Sequence, residues 1–187
     1  MKISGILLLV ILFLVTSCVN NNKTFVADFN TTNDRIWVGQ DFWSIPLEDW
    51  KVDDGKLHCI GNVPDSRVNL LTQEIIPEDG DFEVSVNVML SDKGNIPGSA
   101  GFFLGVYDKE DPSAKAACYF GGGIRAGVSL NGYAFLEDEK TDLPEGFDFM
   151  NFTLSVSGNN NQLILNVTDK KGKQVEELTT KIDGIQG

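Results

Sequence analysis

Phe82-Glu83-Val84-Ser85-Val86-Asn87-Val88 alternates apolar and polar residues without a fault. Successive side chains on an extended chain point to opposite faces, so this period of two builds a strand with one dry and one wet side. Phe152-Thr153-Leu154-Ser155-Val156 repeats the pattern, and Leu163-Ile164-Leu165-Asn166-Val167 follows it less strictly. The residues between those two runs, Gly158-Asn159-Asn160-Asn161, tolerate positive φ and join them as a hairpin. Lys170-Lys171-Gly172 then turns the chain into a third strand over Gln174–Thr179.

Working outward, Asp53-Asp54-Gly55 joins Trp50–Val52 to Leu57–Ile60, and Asn131-Gly132 joins Ile124–Leu130 to Tyr133–Leu136. Arg67–Ile76 and Ala100–Tyr107 complete the strand set, with Phe25–Phe29 as the first strand. No window has helical periodicity. The three glycines Gly121–Gly123 read as a bulge or sharp bend. Many short strands, each with one apolar face to cover, predict an all-β fold, an antiparallel β-sandwich or jelly roll. In such a layer Val86 faces inward, and Val86→Asp is expected to unfold the domain by placing an unpaired charge there.

The first seventeen residues stand apart. Lys2 precedes an unbroken apolar run, Ile6–Val15, the length of a signal-peptide core and too short for a bilayer, which takes roughly 20 residues. Val15-Thr16-Ser17-Cys18 resembles the lipobox of bacterial lipoproteins, in which the cysteine is acylated and becomes the new N-terminus. The expected organisation is a signal peptide over residues 1–17, a lipidated tether over 18–24 and a β-domain over 25–187. Acylation at Cys18 would hold the exported chain at a membrane of the bacterial envelope, the outer membrane being the expected one.

Twenty-seven acidic against fifteen basic residues give a formal charge of −12. Losing Lys2 with the signal makes it one unit more negative. Such a surface repels nucleic acid, which excludes it as a partner. The remaining cysteines, Cys59 and Cys118, permit one internal disulfide; the alternative is two buried thiols.

Reactive groups are sparse. His58 is the one histidine and sits mid-strand, where it and Cys59 point to opposite faces and cannot share a metal. The densest carboxylate group, Glu137-Asp138-Glu139, runs on into Lys140-Thr141-Asp142 with no apolar residue interleaved. It reads as a solvated loop rather than the paired carboxylates of a glycosidase. Gly121–Gly123 lacks the Lys-Ser/Thr pair and the helix of a phosphate loop. No cofactor is expected, although oxygen-rich Asp108-Lys109-Glu110-Asp111 could supply ligands for a structural calcium. The aromatic residues carry the remaining signal. Trp50, beside a hairpin, reads as core, while Trp37, Trp43, Tyr107 and Tyr133 are the candidate ligand-binding residues, since exposed indoles and phenols stack on sugar rings.

A family resemblance follows from Pro46-Leu47-Glu48-Asp49-Trp50-Lys51-Val52-Asp53-Asp54-Gly55-Lys56-Leu57-His58-Cys59, Arg67–Thr72, Gly80–Val86, Gly101–Gly105, Gly127-Val128 and Gly132, in that order. Together they resemble the concanavalin A-like (LamG-like) N-terminal sandwich of bacterial alkaline phosphatase D (PhoD-like) metallophosphoesterases. They are similar, more loosely, to the sandwich of the 3-keto-disaccharide hydrolase family. The resemblance implies one more apolar strand after Ile182–Gly187 and then a phosphatase domain, so the sheet as given lacks its last strand. No catalytic residue is carried across. The implied function is a non-catalytic, membrane-tethered module that binds glycan or docks a C-terminal phosphatase domain. The alternatives are a carbohydrate-active enzyme of the 3-keto-disaccharide hydrolase type and a purely structural envelope lipoprotein.

Overall fold

Where the chain alternates it pairs. The computed structural model describes residues 24–31, 33–61, 63–76, 80–90, 98–159 and 161–187, so the signal peptide, Cys18 and most of the tether lie outside the described residues. In chain order the strands are β1 (Phe42–Ile45), β2 (Trp50–Asp53), β3 (Lys56–Cys59), β4 (Arg67–Leu70), β5 (Phe82–Met89), β6 (Ser99–Tyr107), β7 (Gly122–Ser129), β8 (Tyr133–Leu136), β9 (Glu139–Asp142), β10 (Asn151–Gly158), β11 (Gln162–Asp169) and β12 (Gln174–Lys181), with one helix, α1 (Ala114–Phe120), between β6 and β7. All pairing among these strands is antiparallel. Two four-stranded sheets run in the orders β12-β11-β10-β5 and β6-β7-β8-β9, and two short pairs, β1-β4 and β2-β3, form the N-terminal part.

Both large sheets turn their apolar rows into one core. Ala126, Val128, Ala134 and Leu136 come from one sheet, and Phe152, Leu154, Val156, Leu163, Leu165 and Val167 from the other. Each buried Val, Leu or Phe contributes about 1.5–3 kcal/mol relative to exposure. The polar residues between them, such as Thr153, Ser155 and Asn166, lie on the opposite face.

Val86 departs from the inward reading. It pairs with Leu154 and shares its face, yet it is 40% exposed while Leu154 is wholly buried. The reason is position in the sheet: β5 is an edge strand, with β10 on one side and no described strand on the other. Alternation sets which way Val86 points, not how much material covers it.

Other expectations need correction. Phe25–Phe29 is not a strand; the chain there is irregular and enters a 3-10 turn at Phe29–Thr31. The strand predicted over Arg67–Ile76 ends at Leu70. The predicted solvated loop over Glu139–Asp142 is strand β9, paired with β8 through a tight turn in which Glu137 takes φ 52°. The predicted absence of helix fails at α1. Ser113 caps it by accepting a hydrogen bond from the Ala116 N–H at 3.3 Å, and Gly121 is its C-cap, its N–H donating to the Ala117 carbonyl. Gly121–Gly123 thus ends a helix and starts β7. The bulge lies on the partner strand β6 instead, between Leu104 and Tyr107, where Gly105 has φ 59°. The Asn131-Gly132 connection is a hairpin with a three-residue loop, because Ser129 pairs with Tyr133 and Gly132 takes φ 99°.

The β11–β12 turn is held by one carboxylate. Asp169 Oδ1 accepts the N–H groups of Lys171 at 2.8 Å and Lys173 at 2.9 Å. These bonds hold its carboxyl below the ordinary value of 3.8. A depressed pKa means that the stabilisation is present above the ordinary value and is lost as pH falls through the folded one. Asp169→Ala is therefore expected to melt below the parent at neutral pH, with the gap closing as pH falls below 3.8 in thermal scans. A gap that stays constant with pH would show that the charge has no part in the turn.

Candidate functional site

The register of β6 to β9 sorts their outward residues into three rows. Ser99, Ser129, Tyr133 and Asp142 form the first; Gly101, Gly127, Phe135 and Lys140 the second; Phe103 and Arg125 the third, with Glu137 beyond them in the β8–β9 turn. The middle row carries two paired glycines. A Cβ on Gly101 would fall 2.1 Å from the Ala126 carbonyl oxygen and 2.7 Å from Gly127 Cα, and one on Gly127 would fall 2.3 Å from the Ala100 carbonyl oxygen. Glycine is thus required on both strands by their close approach. A depression of about 370 Å³ opens over this face, lined by Ser99, Arg125, Ser129, Asn131, Tyr133, Phe135, Glu137 and Lys140 among others.

Its walls combine rings with charges. The Tyr133 and Phe135 rings meet edge to face, centroids 6.4 Å apart. The Lys140 ammonium lies 5.2 Å from the Tyr133 ring centre, and the Arg125 guanidinium 5.0 Å from that of Phe103. Arg125 also pairs with Asp65 at 2.9 Å, both side chains being more than half exposed, so the pair is worth about 0–1 kcal/mol and can open at low cost. The Glu137 carboxylate is engaged: its Oε1 accepts the Arg125 backbone N–H at 2.6 Å. Hydroxyls, an amide, both signs of charge and apolar ring faces around one open depression suit a polyhydroxylated ring better than a single ion or an apolar ligand.

Of the four aromatic residues predicted to bind ligand, Tyr133 is on this face. Tyr107 is half-buried at the far end of β6, opposite Gly122. Trp43 is 44% exposed on β1, opposite Asn69, and Trp37 lies in the irregular segment before β1. The four do not gather into one site. Arg125, Phe135 and Lys140 were missed by sequence reasoning, although Tyr133-Ala134-Phe135-Leu136 carried a signal, with the small Ala134 marking the inward side and so placing two rings outward.

A second depression, of about 410 Å³, brings Glu137, Asp138 and Glu139 together with Lys181 and Asp183. Among the described residues no group of three or more His, Cys, Asp or Glu is arranged to hold a metal ion. In the Asp108–Asp111 loop, Asp108 Oδ1 accepts the N–H groups of Glu110 and Asp111. His58 is held by structure: its Nε2 lies 3.0 Å from the Asp53 carbonyl oxygen. Cys59 and Cys118 are free thiols, Cys59 exposed on β3 and Cys118 buried in α1, and burial pushes both thiol pKa values up. No helix among the described residues is long and apolar enough to cross a membrane.

Comparison with known protein families, characterised proteins and solved structures finds no match to this chain.

Proposed function

We propose that the chain is a lipid-anchored envelope module that binds glycan on the outward face of β6–β9, without chemistry of its own. The observation that carries this reading is the open depression lined by Arg125, Tyr133, Phe135 and Lys140 together with the hydroxyls of Ser99 and Ser129. In this reading the two four-stranded sheets are the layers of a concanavalin A-like sandwich of the LamG-like kind. Acylation at Cys18 tethers it, and the module serves as the accessory N-terminal part of a PhoD-like phosphatase. Binding is favoured over turnover because the best-placed carboxylate, Glu137, is tied to the Arg125 backbone.

The test is calorimetric titration of the exported chain with neutral α- and β-linked glucan oligosaccharides and with peptidoglycan fragments. At least one class is expected to bind, and the Tyr133→Ala/Phe135→Ala variant is expected to lose about tenfold or more in affinity, equivalent to about 1.4 kcal/mol, while still melting cooperatively above the titration temperature. No binding across the panel, or binding untouched by the double substitution, rejects this face as the site. One observation favours a rival enzymatic reading: the acidic depression of Glu137, Asp138, Glu139 and Asp183. Hydrolysis of the same oligosaccharides, abolished by Glu139→Gln, would establish it.

A further inference from the structure

The segment leading into β1 closes on itself. The rings of Phe25 and Phe29 pack against Phe42, with centroids 6.0 and 5.9 Å away. Arg35 bonds the Trp37 carbonyl through Nε at 2.6 Å and the Val38 carbonyl through Nη2 at 2.7 Å. The Phe42 N–H donates to the Gly39 carbonyl at 3.2 Å. The resulting knot is fixed to β2 by two backbone hydrogen bonds of 2.8 Å between Arg35 and Val52, and Val38 is buried within it.

On the outside of this knot stand Val26, 75% exposed, Ile36, 84% exposed, and Trp37, 54% exposed. Single exposed apolar residues are ordinary. Here a valine, an isoleucine and an indole are exposed within a dozen residues of one cross-bonded segment, although nearby Phe25, Phe29, Phe42 and Val38 pack. The position in the chain says what covers them. Eight residue steps separate Cys18 from Val26, a reach of about 26–29 Å when fully extended. Whatever surface holds Cys18 lies within that distance of the knot.

We propose that Val26, Ile36 and Trp37 rest in the headgroup region of the membrane that holds Cys18, giving the tethered module a fixed orientation instead of a free swing. The inference rests on the lipid-anchor part of the proposed function. Tryptophan favours that zone because its ring is apolar and its N–H needs a polar partner. The acidic chain would be repelled by anionic headgroups, so the surface it fits is a zwitterionic one.

The experiment uses the full acylated chain reconstituted into phosphatidylcholine vesicles with brominated acyl chains. Bromine is expected to quench part of the tryptophan emission, and the quenched part is expected to vanish in Trp37→Phe, leaving Trp43 and Trp50 as reporters of an intact fold. Ile36→Asp is expected to reduce the quenching at least twofold. If the chain floats with the vesicles but is not quenched, or if Trp37→Phe is quenched as strongly as the parent, the orientation is overturned while the anchor stands. If the chain carries no acyl mass at Cys18 and does not float, the anchor reading fails and the inference falls with it. Burial of Trp37 in a dimer of the vesicle-bound chain, with no quenching, assigns the patch to a second copy and overturns contact with lipid.

Discussion

Leu154→Asp is expected to leave the chain without a cooperative melting transition, whereas Val86→Asp is expected to melt cooperatively near the parent temperature. The two residues pair across β10 and β5 and point to the same side of their sheet. Leu154 is fully buried in the core cluster that also holds Val156, Leu165, Val128 and Leu136, while Val86 is 40% exposed on the edge strand. A carboxylate at Leu154 would lose its water and find no partner. Effects above about 4–5 kcal/mol arise from such unpaired buried charges, and domains of this size are stable by only about 5–15 kcal/mol in all. At Val86 the new carboxylate reaches solvent and forfeits a fraction of one valine's burial, a cost of about 1 kcal/mol. Circular dichroism melts of the pair decide the matter. Equal destabilisation of both variants would place β5 in the interior of the sheet and contradict its edge position.

Gly127→Val is the second large effect. Its Cβ would sit 2.3 Å from the Ala100 carbonyl oxygen and 2.8 Å from Gly101 Cα, and both obstacles are backbone, which cannot rotate away. β6 and β7 must separate at the centre of their pairing, disturbing hydrogen bonds on both sides. Overpacking of this kind costs about 1–3 kcal/mol, and each kcal/mol lowers Tm by about 2–4 °C in a chain of this length. Gly122→Ala is the control. It is a glycine of the same strand with nothing within 4 Å of its would-be Cβ, and it should be close to neutral. Equal melting temperatures for the two variants would remove the close approach of β6 and β7 from the account.

Much of the fold was legible. The strands β5, β10 and β11 stand where alternation placed them, and the β2–β3 turn uses positive φ at Asp54 and Gly55, 49° and 68°. What misled were short segments in which composition and context disagree. Ser113-Ala114-Lys115-Ala116-Ala117 has a capping serine and good helix formers, but seven helical residues are too few to display a period. Glu139–Asp142 has strand geometry without strand composition, because pairing with β8 supplies the backbone hydrogen bonds that its side chains do not favour. The site was half legible: Tyr133 could be chosen as an aromatic residue beside a hairpin, whereas Arg125 and Lys140 are charged residues like many others until the register sets them beside it.

By itself the sequence determined that the chain is built of paired, one-sided strands, and it marked the main hairpins, because alternation and turn chemistry act between residues a few positions apart. Only the tertiary structure decided which strand became an edge, and hence that Val86 meets solvent while Leu154 does not. Only it brought Gly101 against Gly127, and Asp65 to Arg125 across sixty residues of chain. Those are matters of register and coverage between distant segments, set by how whole sheets pack, and no local pattern encodes them.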